Sequence, residues 1–265
     1  MSLYVYCLGD ALGAESFGDL RGVAGARVRV AVLGVLAAVV SEFEGEAAEV
    51  SAENVRAHNR VNAAALARAT PLPFRFGTIA REQRLAAYVS ENEAALLDAL
   101  ARVRGCVEMS VKLRRAEEAE GRRQSAKEVG EGKEVGEEAE GGRGAVPDGD
   151  AVAADGAVEG SAGVGRGTAF LLSKRREVLG DEALRRSAEE VAAWLASRVS
   201  ELVRESSARV SPSEALFVRA SHLVERARLE AYRSRVRELT AERADLHFLA
   251  SGPWPPYSFG EIGRQ

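Results

Sequence analysis

A two-domain α+β fold is predicted for this chain of 265 residues, and three observations predict it. Up to Val103 the pattern reads three strands, a helix, a strand and a helix. After Gly105 it reads strand, helix, strand, strand, helix, strand, the order of the ferredoxin-like βαββαβ unit. Between the first strand and first helix of that unit lies a stretch, 116–165, with twelve glycines, thirteen acidic residues and no aromatic. It cannot bury enough apolar area to offset chain entropy, so it is expected to be a long disordered insertion in a loop. The predicted boundaries are 1–104 for the first domain, 105–115 with 166–251 for the ferredoxin-like domain, 116–165 for the insertion, and 252–265 for a Pro/aromatic tail.

The elements follow in order. "LYVYCL" at 3–8 is a short buried strand, followed by a Gly-rich loop. Two β-rich runs meet at Gly34 as a hairpin, and Val28, Val30 and Val32 alternate with Arg29 and Ala31 as in a half-buried strand. Ser51 caps a helix that runs to about Ala69, and Pro71 ends it. "LPFRFGTI" reads as an edge strand and a turn. On that strand Phe74 and Phe76 share one face and Arg75 takes the other. One helix is expected from Glu82 to Val103, with Asn92 the polar exception on its apolar stripe. "CVEMSVKL" alternates Val107, Met109 and Val111 with Glu108, Ser110 and Lys112.

Helical spacing resumes at Thr168, and Gly180 is expected to bend or break that helix. "SSARVS", "ALFVRASHLVE" and "DLHFLA" are strands, with a helix through Tyr232, Val236 and Leu239 between the last two. The last strand should end by Gly252, because proline cannot donate to a ladder. In "SGPWPPYSF" the three prolines favour polyproline geometry. The tail is expected to run stiffly back over the protein and dock Trp254 in a groove.

Composition narrows the function. The apolar content of 46% and charged content of 29% are ordinary for a globular protein. The net charge of −4 is concentrated in 116–165, and neither flank is basic enough to announce nucleic acid. Cys7 and Cys106 have no CxxC or Cys/His spacing, so they read as reduced, buried thiols with no metal and no disulfide. The longest apolar run has eleven residues, whereas a membrane span needs about 20, and the N-terminus lacks a signal-peptide pattern. A cytoplasmic protein is expected. No GxxxxGK[ST] or GxGxxG loop occurs, and no nucleophile stands beside a base, so neither a cofactor nor an enzyme is indicated. His58, His222 and His247 read as structural. "PLPFRFGT" admits two readings, a packed edge strand or a partner surface rich in aromatics and Arg. The tail likewise is either cover for an apolar surface or a preorganised binding edge.

Three segments line up in order: "VRAHNRV" on a helix, "LPFRFGT" after it, and "SGPWPPYSF" at the end. Together with "LYVYCL", "GCVEMSVKL" and "GTAFLLSKR", they resemble the gas vesicle accessory proteins of the GvpF/GvpL family. The likeness spans roughly 2–112 and 166–259; the acidic insertion departs from it. The matching motif positions are His58, Pro73, Arg75, Phe76, Gly77, Gly252, Trp254, Pro255, Tyr257 and Phe259. Of these, Arg75, Phe76, Trp254, Tyr257 and Phe259 are the candidate partner-binding or structural residues. The resemblance implies an assembly factor or minor component associated with the gas vesicle. Its implied partners are other gas vesicle proteins and the very apolar wall subunit, whose aggregation it would limit. A ferredoxin-like nucleotide or nucleic-acid binder is the competing class.

Overall fold

The computed structural model describes residues 2–10, 12–13, 17–116, 166–210 and 218–260. The disordered insertion expected at 116–165 lies outside them from residue 117 onward.

The first half is a five-stranded antiparallel sheet. Its strands are β1 (Ser2–Gly9), β2 (Val28–Leu33), β3 (Leu36–Phe43), β4 (Leu72–Pro73) and β5 (Ile79–Arg81). The order is β2-β3-β1-β4, and β5 also pairs β1. The hairpin turns at Gly34, whose φ of 68° lies where glycine is at ease. Helix α1 (Ala52–Arg68) starts on Ser51, whose Oγ accepts the Asn54 N–H at 3.2 Å. The single helix expected over 82–103 is two, α2 (Glu82–Glu91) and α3 (Glu93–Val103). Asn92 separates them: its side chain donates to the Tyr88 carbonyl at 2.8 Å, and its ψ of 15° leaves the helical path.

Helices cover both faces of this sheet, which corrects the half-buried strand. Leu3, Val5, Leu8 and Ala31 pack with Leu85, Leu96 and Leu100 of α2 and α3. Tyr4, Tyr6, Val28 and Val39 pack with Val61 and Ala65 of α1. A bulge between Val5 and Cys7 in β1 puts the adjacent Tyr6 and Cys7 in the same layer. Val28 and Val30 face the α1 layer and Ala31 and Leu33 the α2–α3 layer, while Val32, near the hairpin end, is 77% exposed.

The second half is a four-stranded antiparallel sheet of β6 (Cys106–Arg115), β7 (Glu205–Val210), β8 (Val218–Glu225) and β9 (Leu246–Trp254), in the order β7-β8-β6-β9. Helices α4 (Arg166–Val199) and α5 (Leu229–Glu242) lie on one face. Ala188, Val191, Leu195, Tyr232, Val236 and Leu239 meet Val107, Met109, Val111 and Leu113 there. Helix α4 is continuous through Gly180, where a break was expected. Trp194 stacks edge-on against Phe248, and the Arg243 guanidinium lies 5.0 Å from its ring centre. No helix among the described residues is long and apolar enough to cross a membrane.

The halves pack together. Cys106 and Leu223 join the core of α2 and α3, and Leu66 joins the core of the second sheet. Arg204 donates to the carbonyls of Arg102 and Arg104 at 2.8 and 3.2 Å, and Thr70 to that of Cys106 at 2.9 Å.

Strand β9 does not end by Gly252. It pairs with β6 up to Ser251, skips, and pairs once more as Trp254 opposite Glu108. Gly252 and Pro253 fall in the skip, where the missing proline N–H costs no ladder bond.

Candidate functional site

The residues after β9 form a clasp between the halves. Pro255 and Pro256 are buried, and a tight turn follows, with Gly260 N–H donating to the Pro256 carbonyl at 2.8 Å. Tyr257 enters the first half. Its hydroxyl accepts from Asn62 Nδ2 at 3.0 Å and lies 3.1 Å from His58 Nε2. On the other side of the ring, His58 Nδ1 is 3.0 Å from the Tyr4 hydroxyl, which also accepts the Gly77 N–H at 2.9 Å. Asn62 Nδ2 lies 3.0 Å from His58 Nε2. With Nε2 accepting, the ring proton sits on Nδ1 and is donated to Tyr4.

Burial sets the protonation of this network. It lowers the His58 pKa to about 4, partly opposed by the Phe74 carbonyl, and pushes the Tyr4 hydroxyl up to about 12. Tyr257 is raised too, first by burial and then by its neighbours Cys7, Tyr4 and Glu108. The histidine is therefore neutral at pH 7 and both phenols keep their protons.

Ser258 binds the second half. Its N–H and Oγ each donate to Glu108, at 2.7 Å, and its Oγ lies 3.1 Å from Ser221 Oγ. A carboxylate gripped by both donors of one residue is a strong anchor. Phe259 then fills the core beside Leu72, Leu96 and Leu223, and the Arg102 guanidinium holds its carbonyl.

The structure sorts the five candidate residues. Tyr257 and Phe259 are anchors of the clasp. Phe76 joins them: its ring lies 5.7 Å from His58 and 6.0 Å from Tyr4. The expected strand through Phe74, Arg75 and Phe76 is not one. Beyond Pro73 the chain turns, Phe74 packs toward Tyr88 in one core, and Phe76 packs in the other. Arg75 is exposed at this turn. It lines two clefts with Tyr257, an apolar one of about 370 Å³ beside Leu8, Leu72 and Leu96, and a basic one of about 180 Å³ over the second sheet.

Trp254 is not docked in a groove. It stays 42% exposed, with its Nε1 donating to Ser251 Oγ at 3.3 Å. Trp254 holds a ladder position on an edge strand, so the buried turn begins only after it. Sequence reasoning missed Tyr4, Asn62, Glu108, Ser258 and Arg102 as members of the clasp. One available signal was Glu108, an acid among the buried residues Cys106–Met109 that open β6. Among the described residues, no group of three or more His, Cys, Asp or Glu is placed to hold a metal.

Residues 2–261 match a family profile described as "Gas vesicle synthesis protein GvpL/GvpF". The chain belongs to the GvpL/GvpF family. Two solved structures share its fold. GvpF from Anabaena sp. PCC7120 has a TM-score of 0.70 at 16% identity, over 99% of this chain and 97% of that one. GvpF from Microcystis aeruginosa has 0.68 at 14% identity, over 98% and 99%. No curated protein sequence matches this one. In this GvpL/GvpF chain the "VRAHNRV", "LPFRFGT" and "SGPWPPYSF" segments meet at one place, around His58 and Tyr257.

Proposed function

We propose that this protein is a gas vesicle assembly factor or minor gas vesicle component that binds the apolar wall subunit and limits its aggregation. Membership of a gas vesicle synthesis family supports the process. The observation that carries the binding step is the free edge of β9. That edge pairs with no other strand among the described residues, and its Leu249 and Trp254 are 52% and 42% exposed. An unpaired edge with apolar side chains suits strand addition by an extended apolar segment. Within this reading Trp254 and Arg75 are contact residues, whereas Phe76, Tyr257 and Phe259 hold the fold that presents them. The protein would act beside the gas vesicle in the cytoplasm.

We also read the halves as two domains with the boundaries given above. The second is read as ferredoxin-like, supported by its strand order and its one-sided helices.

Co-expression tests the function. The wall subunit should stay in the supernatant with this protein and pellet without it. Trp254→Ala should weaken pull-down of the subunit and leave the melting temperature within about 2 °C, since the ring is only half buried. Equal pelleting with and without the protein sinks the proposal. Retention of the chain on urea-washed vesicles would assign it to the shell.

A further inference from the structure

The face of the second sheet that turns away from α4 and α5 carries an unusual pattern. Register places Arg209 opposite Arg219, and Arg219 opposite Lys112. Beside this row runs a second one, Ser207, Ser221, Ser110 and Ser251. Alternation puts both rows on the same face, because Val111, Leu113, Val218 and Ala220 point into the helical core. Strands lie ~4.8 Å apart, so the three cations span roughly 10 Å.

Like charges directly opposite on a sheet are destabilising. Among the described residues, no carboxylate pairs with Arg209, Arg219 or Lys112. The next acids along these strands are engaged, Glu108 by Ser258 and Glu205 by Arg102 at 4.0 Å. Arg209 and Arg219 are exposed. The basic cleft of about 180 Å³ opens here, lined by Ser207, Arg209, Arg219 and Ser221 together with Arg75, Tyr257 and Ser258.

We propose that this face binds an acidic segment of a partner protein, with its carboxylates on the Arg209–Arg219–Lys112 row and a hydrogen bond from the Ser207 hydroxyl beside it. Guanidinium forks suit carboxylates in bidentate pairs, and hydroxyls can donate beside them. A row of three cations fits successive carboxylates better than one small anion. Single-stranded nucleic acid would need aromatic faces for stacking, and neither row carries one. This goes beyond the edge-binding reading: it concerns carboxylate recognition by a cation row on the sheet face, which adjoins the β9 edge at Ser251.

The test needs no wall subunit. Binding of a fluorescein-labelled hexaglutamate peptide to the full chain is followed by anisotropy at low salt. Arg209→Gln/Arg219→Gln should weaken it tenfold or more, because each Arg supplies charge-assisted hydrogen bonds. Arg186→Gln/Arg237→Gln removes the same charge from exposed helix positions and should change it less than about twofold. The first pair should leave the melting temperature unchanged or raise it, as a like-charge contact is removed. Absence of peptide binding, or equal loss in both pairs, overturns the proposal. So does tighter, Arg209/Arg219-dependent binding of inorganic phosphate or of oligothymidylate.

Discussion

His58 is the hub on which three distant pieces of chain converge. Its two ring nitrogens reach Tyr4 on the first strand and Tyr257 in the clasp, and Phe76 packs against it nearly perpendicular. That arrangement requires a neutral ring, and burial holds the pKa near 4. His222 is a second case: it is fully buried, bonds the Tyr232 hydroxyl at 2.6 Å, and is also lowered to about 4 by burial. The unfolded chain takes up these protons near pH 6.5, while the folded protein refuses them until about pH 4. Stability from the two rings is therefore complete above pH 6.5 and is lost as pH falls toward 4. Urea midpoints should be flat from pH 8 to 7 and fall between pH 6.5 and 4.5. A His222→Leu variant should start lower and fall less steeply. An unchanged slope would show that His222 does not contribute.

Strand β9 leads directly into the clasp, with Gly252 at the irregularity in its ladder. There φ is +126°, and a Cβ would stand 2.8 Å from the Glu108 carbonyl oxygen and 2.8 Å from the Met109 sulfur. Gly252→Ala should cost about 1–3 kcal/mol in urea denaturation, from backbone strain and the clash together. A loss below about 0.5 kcal/mol would mean that the chain here is freer than the contacts imply. Much of this element was legible in advance. The alternation in "CVEMSVKL" put Glu108, Ser110 and Lys112 together, and they do share the face away from the helices. The proline cluster suggested a stiff polyproline run docking Trp254, whereas the chain makes a tight turn at Pro256–Gly260 and leaves Trp254 exposed. Which tail aromatic goes inside was not legible, because Tyr257 is chosen by His58 and Asn62, more than 190 residues earlier. The split at Asn92 was visible only as a polar blemish on a stripe. The row of cations needs strand order and register, which no local pattern encodes.

The two halves make one cooperative body if the clasp couples them as its contacts indicate. Phe259 sits in a core shared by the first sheet, α2, α3 and Leu223 of the second sheet. Scanning calorimetry of the whole chain should give a single transition. Removing 255–265 empties the Phe259 and Tyr257 sites, and truncating one buried aromatic alone costs about 3–5 kcal/mol. The melting temperature should drop by about 10 °C or more, and the transition should broaden or split. A truncated chain that melts like the full one would make the clasp an ornament. The clasp also bears on how the protein is made. Synthesis runs from the N-terminus, and domains tend to fold as they emerge. Residues 255–260 follow every strand and helix of the described fold. The first half therefore waits with its His58–Asn62 pair uncapped and a hole where Phe259 belongs, until the entire second sheet has been translated. A first half that folds early therefore stays incomplete for that whole interval. The turn at 255–260 can then seal only those molecules whose second half is already in place.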